Sequence, residues 1–497
     1  MANNYLMTNN YHGSLIPENG GLMGIKMFRL RAIKPVLSYL LAVGDLLLVV
    51  AGFFLAFSVR FPKEVPVVNW QPFIQIAPWV GIATLILFAG LGLYGNRHNG
   101  LTLMLRGVIT GIVGVMIVTM ALTFWFRGFA FPRSVLILAA LIQVLMICVW
   151  RYFFWHVERW LYGQRQLLVI GHSPEVTEVL GRLFNLPRGW FKVRQVLPPE
   201  RLNELPAWLF QVDAVLIVPS LSREDKATVL TACLEARREA YVVPDLYDIM
   251  LSHGNMLQLD DLPVVEVQDI RLSWLQRATK RTMDLTVAGL GLLLLLPVVL
   301  ACALVVAITS PGPIFYLQER VGFRGRPFLL YKFRTMAKDA ENLTGPVLAD
   351  EQDPRITRAG RFLRAVRLDE LPQLINVLKG NMSIVGPRPE RPFFVEQFLS
   401  KMPDYRYRYL VKPGLTGMAQ VYGKYTTSAA DKLRYDLYYI RNYSLLLDLK
   451  IVLQTIPVAL GGEAARGLSS KTDSKKEAVI HALVNDVVQQ TATGKEG

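Results

Sequence analysis

The sequence predicts a membrane protein of α plus α/β class, with four membrane-crossing helices, a small α/β unit and a C-terminal α+β domain. Three features predict it: four apolar runs of bilayer length, a stretch in which short apolar strands alternate with helical segments, and a fifth apolar run that leads into a cation-rich, Pro/Gly-punctuated region. With 52% hydrophobic and only 19% charged residues, the 497-residue chain is too long for one ordinary domain and too apolar to lie wholly in water. Its formal charge of +15 draws it to anionic partners, and charge alone does not choose among lipid headgroups, phosphorylated substrates and nucleic acid.

The four runs fall near 36–59, 73–95, 107–126 and 133–155. Each reaches the roughly 20 residues that cross a bilayer as a helix, which sets a membrane domain at 36–160. Lys26, Arg29, Arg31, Lys34, Arg97, Arg106, Arg151, Arg159 and Arg165 flank one set of ends, against Arg60, Lys63, Arg127 and Arg133 at the other. Cytosolic segments carry the excess of Lys and Arg, so the N-terminal segment 1–35 and everything after residue 155 are expected in the cytosol. That first segment is polar and then basic, with no cleavable signal, so the first run is expected to serve as an uncleaved anchor. Asp45 within the first span is costly in lipid. No second carboxylate or His shares a span to make a proton relay, so the expectation is a carboxyl paired with a neighbouring helix. Trp70, Trp79, Trp125, Trp150 and Trp155 suit interfacial belts. Cys148, Cys233 and Cys302 are too far apart to suggest a disulfide framework or a metal site, and read as buried thiols.

Over 163–270 the pattern changes. Gln166-Leu-Leu-Val-Ile170, Asp213-Ala-Val-Leu-Ile-Val218 and Ala240-Tyr-Val-Val243 read as buried parallel strands of a Rossmann-like α/β domain. Gly171-His172-Ser173 closes the first strand but lacks the further glycines that admit a pyrophosphate, so a structural or regulatory module is expected rather than a dinucleotide site. The fifth apolar run, 285–309, is long enough to span. Pro297 near its middle removes a backbone hydrogen bond and bends a helix. A kinked span and a helix that returns to the face it entered are both open, and the second keeps 311–462 in the cytosol.

Segments 314–320 and 328–335 flank Gly322-Phe-Arg-Gly325, a hairpin signal, and put Lys332 and Arg334 on one face of the second strand. Two cations there fit either a diphosphate or a solvated edge. Arg355, Arg358, Arg361, Arg364 and Arg367 recur every third residue, a slowly winding basic stripe suited to lipid phosphates if helical. Leu368-Asp369-Glu370-Leu371-Pro372-Gln373 follows, and Pro372 places a helix start beside Asp369 as its N-cap. There the positive helix end attracts phosphate and keeps a carboxylate ionised. Leu371, Leu374, Ile375 and Leu378 give that helix its apolar face. Gly386-Pro-Arg-Pro-Glu390 presents Arg388 between two prolines, and an Arg fork binds two phosphate oxygens at once. Tyr405-Arg-Tyr-Arg-Tyr409 interleaves aromatics and cations as an interfacial surface does. Stacking on nucleic acid fits poorly beside four spans, and no nucleic acid is expected.

Lys280-Arg281 with Asp284, the apolar run, Pro311-Gly-Pro313, Lys332-Phe-Arg-Thr-Met336, Leu368-Asp-Glu-Leu-Pro-Gln-Leu374, Gly386-Pro-Arg-Pro389 and Lys412-Pro-Gly-Leu-Thr-Gly417 occur in order. Together they resemble the bacterial sugar transferase family, the polyprenyl-phosphate hexose-1-phosphate transferases or monotopic phosphoglycosyl transferases. The likeness is dense over about 275–460, and the layout before it resembles the family's long form. It implies a catalytic domain at 275–462 whose helix 285–309 is re-entrant and broken at Pro297, although Leu296 stands where the family often has Ser.

The reaction implied is transfer of a hexose 1-phosphate from a UDP-sugar to undecaprenyl phosphate at the bacterial inner membrane, an early step in exopolysaccharide, capsule or O-antigen synthesis. Asp369 is implied as covalent nucleophile and Mg²⁺ ligand, Glu370 as its assistant, and Lys332, Arg334, Arg367 and Arg388 as phosphate partners. A carboxylate can form such an acyl phosphate, and Mg²⁺ offsets repulsion between anionic nucleophile and anionic substrate. Two other classes stand beside this one. A nucleotide-sugar dehydratase or epimerase needs a glycine-rich turn and a Tyr-x-x-x-Lys pair, neither of which is found, and a lipid-binding assembly protein needs no carboxylate. The sugar and any homo-oligomer are left open. Residues 463–497 read as a disordered tail with a short amphipathic helix over 478–489.

Overall fold

A computed structural model of the chain describes residues 20–95, 100–128, 130–184, 190–252, 254–267, 269–336, 353, 355–423 and 427–461. The expected tail, with its helix at 478–489, lies outside the described residues. Among the described residues five helices are long and apolar enough to cross a membrane. Four come first: α1 (Gly20–Arg60), α2 (Val67–Gly90), α3 (Leu101–Trp125) and α4 (Arg133–Tyr162). α1 begins upstream of its apolar run and continues through Pro35. α2 and α3 start six residues ahead of the runs read from sequence, α2 directly after Pro66, since polar residues in a first turn do not prevent helix formation.

Phe53, Phe57, Phe73, Phe88, Ile112, Val135 and Ile147 form the core between these helices. Leu47, Ile86 and Leu145 point outward and are more than three-fifths exposed, as a lipid-facing surface requires. Small residues let the helices approach: a Cβ on Gly52 would overlap the Gln143 side chain, and one on Gly111 would overlap Phe88. Asp45 is fully buried and paired with Arg151, whose Nη1 also donates to the Leu93 carbonyl at 2.6 Å. The paired-carboxyl expectation for Asp45 therefore holds, and its partner corrects another, because Arg151 lies inside the bundle and is not a flanking surface charge. Trp79 and Trp125 are exposed, whereas Trp70 packs on Phe54 and Phe57 and Trp150 lies against Gly44, so these two are packing residues. All three cysteines are free thiols, Cys148 only half-buried.

A parallel sheet follows, built from β1 (Arg165–Ile170), β2 (Phe191–Leu197), β3 (Ala214–Ile217) and β4 (Glu239–Val242) in the order β2-β1-β3-β4. Helices α5 (Ser173–Phe184), α6 (Leu205–Leu209) and α7 (Arg223–Glu235) connect the strands. β2 escapes the sequence reading because Phe191-Lys-Val-Arg alternates like an edge strand and not like a buried run. In the crevice beyond β1 and β3, the usual ligand position of such sheets, Glu175 accepts from the Ser220 N–H at 3.1 Å. α8 (Leu246–Leu251) and an exposed antiparallel hairpin, β5 (Asn255–Leu259) with β6 (Leu262–Glu266), lead to the last unit.

That unit starts with α9 (Trp274–Thr309), capped by Ser273 and Gln276. Pro297 lies inside α9, whose helical hydrogen bonding is assigned on both sides of it, and a proline bends a helix without ending it. Both ends of α9 pack on the same body. Near its start Lys280 meets Asp448 at 2.7 Å, Arg281 donates to the Val377 and Leu378 carbonyls, and Asp284 accepts from Ser383. Near its end Cys302 and Val306 pack on Phe333 and Leu363. The residues between, 289–301, are none of them buried.

β7 (Phe315–Val321) and β8 (Pro327–Phe333) form the expected hairpin. α10 (Arg358–Ala365), α11 (Gln373–Lys379), β9 (Ser383–Val385), α12 (Pro392–Lys401), β10 (Gly414–Thr416), α13 (Met418–Tyr422), α14 (Ala429–Arg441) and α15 (Leu445–Ala459) complete it, with β9 and β10 parallel. Leu330, Leu374, Val377, Ile384, Leu437, Ile440 and Ile451 supply its core. Leu453 of α15 packs into the core of the four-helix bundle, and Arg182 of α5 is paired with Asp431 of α14.

Candidate active site

Asp369 and Glu370 lie in a single 3-10 turn, Leu368–Glu370, that leads through Leu371 and Pro372 into α11. Asp369 is therefore inside the turn and not an N-cap, because Pro372 occupies the position before α11 and the tighter turn has already begun at Leu368. Before it, Arg367 takes a left-handed backbone (φ 56°), which costs a non-glycine residue about 1–2 kcal/mol and marks a site held by its surroundings. The five-arginine stripe is also corrected. Only Arg358, Arg361 and Arg364 lie in α10; Arg355 precedes the helix and pairs with Asp353, and Arg364 donates to the Thr335 hydroxyl. The Leu371, Ile375 and Leu378 face of α11 is only half-buried, because Gln373 and Asn376 share the interior with Leu374 and Val377.

Three cations converge on Glu370. Arg388 Nη2 donates to Oε1 at 2.7 Å, Lys332 Nζ lies 3.6 Å from the same oxygen, and Arg367 Nη1 lies 3.8 Å from Oε2. The arrangement brings Lys332, Arg367 and Arg388 together with Asp369 and Glu370, as the sequence anticipated. Arg334 does not join them: its guanidinium donates to the Ser310 and Pro311 carbonyls and holds the Pro-Gly-Pro turn after α9. The shared-face argument failed because β8 ends at Phe333, after which strand alternation no longer aims the side chain.

Electrostatics separates the two carboxylates. Burial would raise the Glu370 carboxyl, but Arg388, Lys332 and Arg367 outweigh it and hold it well below the usual carboxylate range. Burial raises the Asp369 carboxyl, and the negative charge of Glu370 raises it further, against weaker pulls from Lys332, Arg364 and Arg388. Burial also lowers Lys332 and Arg367. Glu370 thus stays ionised as the hub of the cations. Asp369 is a carboxylate whose charge is poorly compensated by protein, and among the described residues none forms an ion pair with it.

Asn376, which the motifs did not single out, sets the frame. Its Oδ1 accepts from the Tyr331 N–H at 3.0 Å and its Nδ2 donates to the Leu329 carbonyl at 2.7 Å, so α11 takes the place of a strand neighbour beside β8 and fixes Lys332 relative to Glu370. Only its place one turn from Pro372 on a helix could have hinted at this. Among the described residues no group of three His, Cys, Asp or Glu could hold a metal. With Glu370 committed to cations, Asp369 is the one acidic donor here. That still fits Mg²⁺, which keeps several waters and takes substrate phosphate oxygens in addition to one or two carboxylates.

Residues 275–462 match the family described as Bacterial sugar transferase. The chain is 40% identical over 240 residues to a UDP-N-acetylgalactosamine-undecaprenyl-phosphate N-acetylgalactosaminephosphotransferase of Aeromonas hydrophila, covering 48% of this chain and 56% of that protein. It is 42% identical over 220 residues to a UDP-glucose:undecaprenyl-phosphate glucose-1-phosphate transferase of Escherichia coli K12, covering 43% and 47%. It is also 52% identical over 131 residues to a putative undecaprenyl-phosphate N-acetylgalactosaminyl 1-phosphate transferase of Bacillus subtilis, covering 26% and 73%. The matches to the first two proteins span about half of their length. With its C-terminal unit matched throughout and most of the B. subtilis protein covered, the chain belongs to the bacterial sugar transferase family.

Proposed function

We propose that the protein transfers a hexose 1-phosphate from a UDP-sugar to undecaprenyl phosphate, or a similar polyprenyl phosphate, in the bacterial inner membrane. The observation that carries the reading is the unequal carboxylate pair: Glu370 gathers three cations while Asp369 beside it has no ion-pair partner among the described residues and feels only their weaker pull. In the first step an Asp369 oxygen bonds to the sugar-linked phosphorus of the donor. The bond from that phosphorus to the bridging oxygen breaks, and UMP departs with the electron pair. In the second step an oxygen of polyprenyl phosphate attacks the same phosphorus and releases Asp369, leaving polyprenyl-diphosphate-sugar. Dividing one displacement into two easier ones is the general advantage of a covalent nucleophile.

Lys332, Arg367 and Arg388 neutralise the phosphates, and positioned charge does most of the work of phosphoryl transfer. Glu370 orients these cations and is too strongly ionised to serve as a general acid. Asp369 would hold Mg²⁺, which would supply positive charge to offset the repulsion between an anionic nucleophile and an anionic donor. Four spans are supported by the length and hydropathy of α1 to α4, and a cytosolic C-terminal unit by the distribution of the flanking Lys and Arg without Arg151. A re-entrant α9 is supported by its two ends packing on one body, with apolar, unburied residues between them.

The test is UMP release by the purified chain from UDP-sugars, with undecaprenyl phosphate and Mg²⁺, together with intact-mass detection of a phosphosugar adduct. Asp369→Asn is expected to lose roughly 10³-fold or more in turnover and all of the adduct. Product formation at the wild-type rate by that variant would exclude the covalent mechanism.

A further inference from the structure

The loop 386–390 carries Arg388 between Pro387 and Pro389, and proline nitrogens offer no N–H by which a backbone can be held. Beyond the Gly386 N–H, which donates to the Thr416 carbonyl at 2.9 Å, the loop is held by its carbonyls, and four in succession are taken. The Gly414 N–H donates to the Pro387 carbonyl at 2.9 Å, and the Val321 N–H donates to the Glu390 carbonyl at 3.0 Å. Between these, Arg408 Nη2 donates to the Arg388 carbonyl at 2.9 Å and Arg320 Nη1 donates to the Pro389 carbonyl at 3.0 Å. The outer pair are backbone donors that any sequence supplies; the inner pair need two particular side chains.

Both arginines are held in turn. Arg408 is 4% exposed, lies 2.8 Å from Asp436 Oδ2 and stacks over the Tyr405 ring, while Arg320 is braced by Gln318 Oε1 at 2.6 Å and by Glu390 at 3.6 Å. A guanidinium withdrawn from water is costly unless paired, so buried Arg408 and part-buried Arg320, committed to adjacent carbonyls, call for a reason beyond cohesion. What those carbonyls bracket is the residue whose guanidinium donates to Glu370 at 2.7 Å.

We infer that Arg320 and Arg408 are positioning residues that hold the 386–390 backbone so that Arg388 meets Glu370 beside Asp369. The inference rests on the proposed role of Arg388 at the donor phosphates. Neither arginine touches substrate; each acts through Arg388. Moving a phosphate-binding group by about 1 Å costs on the order of 100-fold in rate, which makes a rigid loop worth one buried and one part-buried charge.

The experiment uses the full chain in lipid nanodiscs and reads UMP release for Arg320→Met, Arg408→Met and Arg408→Lys, each alone and combined with Arg388→Met. Thermal unfolding checks each variant. Each Met variant is expected to lower kcat roughly 10- to 100-fold with a smaller change in KM for the UDP-sugar, and Arg408→Lys, which keeps the charge toward Asp436, to recover part of the loss. In the Arg388→Met background the same substitutions should cost almost nothing more. Losses that multiply there would show that the arginines act independently of Arg388 and overturn the inference alone. An unimpaired Arg388→Met single variant would overturn the reading of the site and the inference with it. Should the Arg408 variants fail to fold, Arg320→Met decides the matter, since its partners Gln318 and Glu390 are not fully buried.

Discussion

The four-helix bundle and the C-terminal unit each bury a carboxylate among cations, and they do so in opposite ways. In the bundle, Asp45 meets one guanidinium and the sum of charge is zero. In the C-terminal unit, Glu370 meets three cations, and even with Asp369 counted the cations outnumber the carboxylates. A closed pair asks for nothing further; a surplus of positive charge behind a strained backbone at Arg367 asks for an anion. In the α/β unit Arg165 is paired one to one with Glu239, and Lys226, shared by Asp245 and Asp248, is outnumbered by carboxylates. A surplus of cations, more than burial, distinguishes the site from these scaffold pairs.

The contrast can be broken by experiment. Asp45→Asn should leave Arg151 buried without its counter-charge and destabilise the fold by about 3–5 kcal/mol, read as a fall in the unfolding midpoint, while protein that remains folded keeps its turnover. Glu370→Gln should also lower the midpoint, because a carboxyl held below its usual range adds stability at neutral pH that the amide lacks, and should in addition cost on the order of 100-fold in kcat through loss of cation alignment in the protein that remains folded. Full turnover by folded Glu370→Gln, or a large loss of turnover in folded Asp45→Asn, would erase the distinction.

Two smaller effects sharpen it. The raised Asp369 carboxyl puts the acid limb of the pH–rate profile above the ordinary aspartate value of about 4, since only the ionised form attacks. The sign for stability is opposite. A carboxyl raised on folding stabilises below its unfolded value and loses that contribution as pH rises, so at neutral pH the wild type holds an ionised group that the fold disfavours. Asp369→Asn should therefore raise the unfolding midpoint at neutral pH, with the gain vanishing below the unfolded carboxyl range. Calorimetry at two pH values decides it. Arg334→Gln should cost about 1 kcal/mol through its lost carbonyl bonds and leave KM for the UDP-sugar unchanged; a raised KM would return Arg334 to the phosphate site.

Hydropathy and length made the four bundle helices and α9 legible, and turn chemistry made the β7–β8 hairpin legible, because these are local properties. The Asp369-Glu370 pair was visible for the same reason, through Pro372 and the motifs around it. What escaped depends on reach across the fold. Arg151 looks like a span-flanking charge until Asp45 is found one helix away, and Lys332 and Arg334 look equivalent until the strand ends between them. β2 was hidden by its edge-like alternation, and the β5–β6 hairpin by an exposed sequence with no clear glycine turn, where Asp260 adopts the left-handed backbone instead. Asn376, Arg320 and Arg408 carry no motif because their partners are backbone groups, which a sequence does not label.

Helix α15 inserts Leu453 among the bundle's core side chains, places Gln454 against Gly92, and one residue on joins Thr455 to Thr416 at the end of β10. The Thr416 carbonyl in turn accepts from the Gly386 N–H at the root of the Arg388 loop. One short helix is thus an axle shared by two bodies. A tilt of the bundle is also a displacement of the strand beneath the arginine, and the spacing between bundle and carboxylates is a built-in dimension.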